Sequence, residues 1–560
     1  METERRTIRP LFVLLGLAIA WLLVPAVKSQ SNARGENAHT QDPIDNKHFH
    51  AHFETSDRCV ACHNGISTPA GKDISIGIDW RTSMMANSGR DPYWISGVRR
   101  ETIDHPVAAA AIQDECTICH MPMMRYESKL LGREGEAFAH FPPGHNTRAD
   151  RLAEDGVSCS VCHQITAEGL GTKASFVGGF KIDTTRPPSE RHEYGPFEID
   201  KGRTAIMRSS ATFQPSEDKK VIRSSGLCAT CHTLLTQALD AQGQTIGELP
   251  EQVPYQEWLH SEYNDGTSCQ DCHMPKVAEE VPITSVLGEP RAGFAQHVFV
   301  GGNFFMQRLL NRYRQDLAIS APEDLDSAAT RTIAHLQSEA AKLTIQSAEI
   351  HDGRVETVIS IQNLAGHKLP TAYPSRRVWL HVTMRDRRGS VVFESGALHA
   401  DGSIEGNAND QDPARFAPHY TEITQPDQVE IYEAIMADAV GRVTTGLLTA
   451  LRYIKDNRLL PHGFDKRAAN PDVAVHGEAE TDPDFAGGGD TIRYSVADKG
   501  GEAPFQIEAE LWYQPIGYRW AMNLKPYDAA EPRRFVGYYQ AMAPGSAVML
   551  VRTTAVTSVK

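Results

Sequence analysis

The rhythm of apolar and polar positions changes along the chain. At the start, Arg5, Arg6 and Arg9 precede an apolar run from Leu11 to Val27, and polar Lys28, Ser29 and Gln30 follow. A basic start, an apolar middle and a polar exit predict an export segment over residues 1–29. It reads as a cleaved signal or as an uncleaved anchor, because the run lies at the short end of what spans a bilayer. No later apolar stretch is long enough to span. From Gly301 to about Lys342 the period is helical: Phe305, Leu309, Leu310 and Tyr313 recur at three- and four-residue spacing, with Arg308, Arg312 and Arg314 between them. After that the period is two. Val355, Val358, Ile359 and Ile361, then Val378–Val382, then Ile507, Ala509 and Leu511–Tyr513 read as strands broken by Asp-Gly, Arg-Gly and Pro turns. The pattern predicts a helical connector over 321–344. A β-rich, sandwich-like domain follows over 345–560, with a helical insertion around Pro426–Asp456.

Composition narrows the class. The 560 residues are 41% hydrophobic and 23% charged, which is globular, and the length suggests two or three domains. A net charge of −15 argues against nucleic acid or an anionic membrane surface as partner.

The cysteines carry the chemistry. All ten fall into one motif: Cys59-Val-Ala-Cys62-His63, Cys116-Thr-Ile-Cys119-His120, Cys159-Ser-Val-Cys162-His163, Cys228-Ala-Thr-Cys231-His232 and Cys269-Gln-Asp-Cys272-His273. C-x-x-C-H is the attachment motif of c-type haem. Two thiols add to the two vinyl groups on one porphyrin edge, and the adjoining histidine turns under the ring to ligate iron. Zinc ribbons do not place histidine after every second cysteine. A thioredoxin-like pair occurs once, and disulfides need no such spacing. Five covalent haems follow.

The stretch holding the motifs is too short to give each haem its own core, so the haems supply much of the apolar interior of a domain over 45–320. The expected class is α+β: a mostly helical and loop domain wrapped on stacked haems, then the β-rich domain. Two faint echoes, Cys-His-Met-Pro at 119–122 and 272–275 and Trp-x-x-Ser at 80–83 and 258–261, suggest duplicated modules. Each motif supplies one axial ligand. Most of the 23 histidines remain for the sixth positions, and His105, His140 and His297 lie within or just beyond the haem region.

Several longer stretches carry a family likeness: Trp80–Trp94, Glu115–Met123, Gly156–Gln164, Ala292–Asn303 and Gly366-His-Lys-Leu-Pro-Thr371. Over most of residues 50–560 the chain resembles the large periplasmic multihaem cytochromes related to the tetrahaem cytochrome c of ammonia oxidisers. The resemblance implies His297 and His367 as distal ligands, although His367 also reads as a turn residue of the β-domain. In those relatives a Trp-x-x-Ser-x-His-Ala segment often supplies a distal histidine. Here that slot holds Met85 beside Met84, which implies a His/Met haem of higher potential or two core methionines on a helix. His145 and His260 are further candidates.

Two loops rich in oxygen ligands, Asn407–Asp412 and Asp482–Asp490, suit calcium or are solvated acidic loops. The functional expectation is an extracytoplasmic electron carrier, periplasmic and soluble or held by the N-terminal segment. It would exchange electrons with redox proteins or a membrane electron-transfer complex, with membrane contact only through an uncleaved anchor. The alternative is a multihaem oxidoreductase with one open-site haem acting on a small nitrogen or sulfur substrate. No C-x-x-C-K motif, which marks the catalytic haem of multihaem nitrite reductases, occurs.

Overall fold

In a computed structural model of the chain, residues 52–144, 147–319 and 322–558 are described. The expected export segment at 1–29 and the candidate His145 lie outside them. Up to residue 300 the chain forms short helices joined by long loops. Each C-x-x-C-H makes one helical turn, because only that geometry sets residues i, i+3 and i+4 on one face. His63, His163 and His232 each donate their backbone N–H to the carbonyl of the first cysteine of their motif. The second motif ends the helix Ala109–His120, and the fifth is the helix Cys269–His273, capped by Ser268 with Asp271 completing a capping box. The longest helix of this part, Pro92–Asp104, starts on Asp91, whose carboxylate accepts from the Tyr93 and Trp94 N–H groups.

The helical period beyond Gly301 becomes the helices Phe304–Arg312 and Pro322–Glu339, the first burying Phe304, Phe305, Met306, Leu309 and Leu310. Two sheets then face each other. One orders strands Ile431–Tyr432, Arg377–Arg385, Gln506–Gln514 and Val548–Val556, with Val391–Ser395 also paired to Arg377–Arg385; the other orders Ala341–His351, Arg354–Asn363, Gly489–Ala497 and Glu422–Ile423. Ile359, Ile361, Ile492 and Tyr494 from one sheet share a buried cluster with Val378, Leu380, Ile507 and Leu511 from the other. Phe393 meets Tyr494 edge-on across it at 6.0 Å. The class is α+β, with a sandwich-like β region.

The expected helical insertion at Pro426–Asp456 is wrong. That stretch forms strands Ile431–Tyr432, Ala434–Ala437, Val443–Thr444 and Arg452–Asp456. Residues 431–438 are all buried, so no one-sided period remains to distinguish strand from helix. The sheets and the motif-bearing part share one core: Ile95 and Val98 belong to the same cluster as Phe535 and Leu550. Tyr93 packs 4.8 Å from Phe535, and Ser96 donates to the Glu531 carbonyl. Among the described residues no helix is long and apolar enough to cross a membrane.

Candidate functional site

All ten cysteines and all five motif histidines line one connected cavity of about 1960 Å³. That exceeds the ~300–1,000 Å³ of an ordinary small-molecule site. Ile112, Ile118, Val157, Phe213 and Val300 are among its apolar walls.

The motif histidines are prepared as ligands. Nδ1 of His63 is bonded to the Ile283 carbonyl (2.6 Å), of His163 to Tyr194 (2.6 Å), of His273 to Val300 (2.5 Å) and of His120 to Ser88 (3.2 Å). A carbonyl only accepts, so Nδ1 carries the proton and Nε2 keeps its lone pair for a metal. Burial pushes His120 and His232 down to about 4, which keeps both rings neutral. Trp94 stacks on His120 at 4.4 Å with 3° between planes and fixes the ring's tilt.

The thiols show which motifs are neighbours. The Cys159 thiol, then burial, raises Cys59; Cys231 does the same to Cys119 and Cys269 to Cys228. Burial pushes Cys162 up to about 12, with Cys231 the next cause. These thiol pairs bring the first motif near the third, and the second and fifth near the fourth.

Two distal candidates lie opposite motif histidines. The rings of His163 and His297 are 6.3 Å apart with 19° between planes, and those of His273 and His367 are 6.2 Å apart with 8°. Face-to-face stacking would be much closer. Two imidazoles on opposite sides of one metal ion, each nitrogen about 2.0 Å from it, have centres about 6.3 Å apart. Nδ1 of His297 bonds the Ala295 carbonyl and Nδ1 of His367 the Lys368 carbonyl, again leaving Nε2 free. Burial pushes His297 down to about 3. The His367 turn is held by Glu257, which accepts the Lys368 N–H (3.1 Å) and pairs with Arg458 (3.0 Å), while buried Lys368 pairs with Asp456 (2.7 Å).

The other candidates separate. Met84 and Met85 line the cavity half-buried, in the turn after helix Ile76–Arg81 rather than on a helix, and the Met85 carbonyl accepts from Val157 beside the third motif. His105 and His140 do not line this cavity: His105 Nε2 meets the Thr449 hydroxyl at 3.3 Å, and His140 Nδ1 bonds Asp150 at 2.7 Å. His260 bonds the Gln256 carbonyl. His335, which sequence reasoning missed, does line the cavity, as do Thr332 and Glu339 one turn either side of it. Their shared helical face was the available signal. Asp91, Tyr93, Glu101, Glu251, Tyr373 and Arg376 were also missed. They form a polar part of the wall, and burial pushes Glu251 up to about 7.

The calcium expectation gains no support. In the first loop Asp410 is taken by Arg377 (2.8 Å) and the Ile404 N–H, Asn409 donates to the Arg415 carbonyl, and Asn407 caps a helical turn. In the second, Asp482 accepts from His419 (2.9 Å) and Asp490 from the Tyr432 hydroxyl. Burial pushes His419 down, but Glu430, Asp490 and Asp482 outweigh it and raise the ring to about 9. His419, Glu430 and Asp490 lie close enough together to hold a metal ion, but with a histidine among them they are not an all-oxygen calcium set.

No protein-family model and no curated protein matches the chain. Among solved structures it is similar to a penta-heme cytochrome c552 from Thermochromatium tepidum, with a TM-score of 0.51 and 16% identity over 90% of this chain and 99% of that one. At that identity the likeness speaks for the fold.

Proposed function

We propose that this chain is a multihaem c-type cytochrome that holds five covalent haems in the cavity and relays electrons among them outside the cytoplasm. The gathering of all fifteen C-x-x-C-H ligating side chains into one cavity carries the reading. Similarity to a penta-heme cytochrome supports it independently. Bound haem c supplies a one-electron iron couple. The chain supplies the rest. Ten thiols fix the porphyrin edges, and backbone carbonyls set four motif histidines in the ligating tautomer. His297 and His367 close two sixth positions, and the thiol pairs set attachments near one another. Location outside the cytoplasm rests on the basic and apolar start of the sequence, and the acidic net charge favours redox proteins as partners. The test is a redox titration of the purified red protein with mass spectrometry. Five haem additions and reversible one-electron steps are expected, and fewer than five would break the reading.

One observation favours the second reading, a multihaem oxidoreductase. His63, His120 and His232 have no imidazole at the pairing separation among the described residues, and Glu101, Glu251, Tyr373 and Arg376 line the same cavity. If all five ferric haems are low-spin and ignore nitrite, hydroxylamine and carbon monoxide, the carrier stands. A stoichiometric high-spin signal that shifts on adding one of them would promote the enzyme.

A further inference from the structure

A relay needs a place where electrons cross the surface, and the five motifs are not equally shielded. Cys272 alone of the ten cysteines is exposed. Its helix, Cys269–His273, buries no residue, whereas Cys159–Cys162 and Ser225–Ala229 bury residues between their cysteines or beside them. The first motif also starts on a helix with no buried residue, but both its cysteines are half-buried.

The charges around Cys272 are acidic. The carboxylates of Asp271 and Glu339, both exposed, act on its thiol. Tyr263 feels both Cys272 and Glu262, and Glu262 and Asp265 are exposed on the same turn. Lys276 is already bonded to Asp271 at 2.6 Å. The surface at the first motif is different: Ser285 is bonded to the Cys62 carbonyl, exposed Val286 and Leu287 follow it, and Arg203 bonds both the Leu287 carbonyl and Glu289.

We propose that the acidic rim over Cys272 is the docking surface for a basic redox protein, and that electrons pass between partner and relay at the fifth motif. This rests on the relay reading above. The exposed attachment edge brings the fifth haem nearer a docked partner than any shielded one. The rim supplies orientation, and the net charge of −15 supplies long-range attraction. Such steering raises association rates by about 10- to 1,000-fold and fades with salt. Redox contacts of this kind are small and brief, so no large apolar patch is required.

The test uses the holoprotein and a basic monohaem cytochrome c as probe. Binding is measured by titration calorimetry at low ionic strength, and electron exchange by stopped flow. A rim variant carries Glu262→Lys and Asp265→Lys, and a control carries Asp57→Lys and Glu280→Lys near the first motif, all four being exposed and outside the cavity wall. The rim variant should lose at least about tenfold in affinity and in second-order rate, and the control less than about twofold. Haem content and reduction by photoreduced lumiflavin, which is small and uncharged, should not change in either. Unchanged binding in the rim variant, or an equal loss in the control, would overturn the port. A wild type that holds five haems and accepts electrons from lumiflavin but never from the basic probe would also overturn it, leaving the relay intact. A wild type with fewer than five haems would sink the relay and the port together.

Discussion

If the chain holds five haems as proposed, replacing His297 by alanine should alter one haem site in five and leave the others alone. The His297 ring faces that of His163 at 6.3 Å, the separation at which two imidazoles share a metal ion. His63 also acts on His297, but more weakly than His163 does. Alanine at 297 therefore takes one nitrogen from one iron. That iron changes from six-coordinate and low-spin to high-spin, while four keep their ligands. Spin integration of low-temperature EPR on the oxidised holoprotein should show one fifth of the total haem transferred to a high-spin signal. His367→Ala should transfer another fifth. The double variant should transfer two fifths, because the His163–His297 and His273–His367 pairs share no residue. The affected haem's potential should rise, since imidazole favours ferric iron; a tenfold loss of that preference is about 59 mV. Unchanged spin counts in His297→Ala, or two haems altered at once, would refute the pairing.

Other expectations follow from the same structure. Mass spectrometry of the denatured mature protein should show five haem additions, as ten cysteines in five motifs require. Met85→His should lower one midpoint potential and leave four nearly unchanged, and an unaltered titration would return Met85 to packing. Glu257→Ala should cost about 3 kcal/mol in urea unfolding, because it strips partners from the buried Lys368 N–H and from Arg458, and it should broaden the EPR signal of the His367 haem. His419 is raised from 6.5 to about 9 in the folded chain, so its contribution is full below pH ~6.5 and is lost as pH rises through ~9. That is worth at most about 3 kcal/mol, and His419→Gln should flatten the fall in Tm between pH 7 and 10.

What could be read in advance depended on how local the signal was. Cysteine, cysteine and histidine at i, i+3 and i+4 specify one helical turn by themselves, so the attachment sites were legible to the residue. One-sided burial made the strand Arg354–Asn363 legible too, since its residues alternate in and out. Residues 431–437 were not, because burial on every side erases the period. Which motifs lie near one another was invisible because pairs such as Cys59 with Cys159 are set by tertiary folding. The distal candidates could not be separated in sequence for a related reason. His105, His140 and His297 look alike in sequence, and only folding gives His105 to Thr449, His140 to Asp150 and His297 to the cavity. His335 hid between the buried stripe of its helix, Leu325, Ala329 and Leu336, and the exposed residues beside it, where a histidine reads as a surface residue.

The closeness of thiols from different motifs has a consequence for how the chain is made. Cys59 and Cys159, Cys119 and Cys231, and Cys228 and Cys269 act on one another's thiols. In an oxidising compartment neighbouring free thiols can join as disulfides. Each bridge would consume one thiol from two motifs, so a single wrong bond would disable two attachments. Burial compounds the hazard: with Cys162 pushed up to about 12, few of its thiols are ionised once the chain has closed, and attachment chemistry slows. A chain that attaches haem as proposed would therefore have to be kept reduced and receive its porphyrins while still open, so that folding follows cofactor insertion.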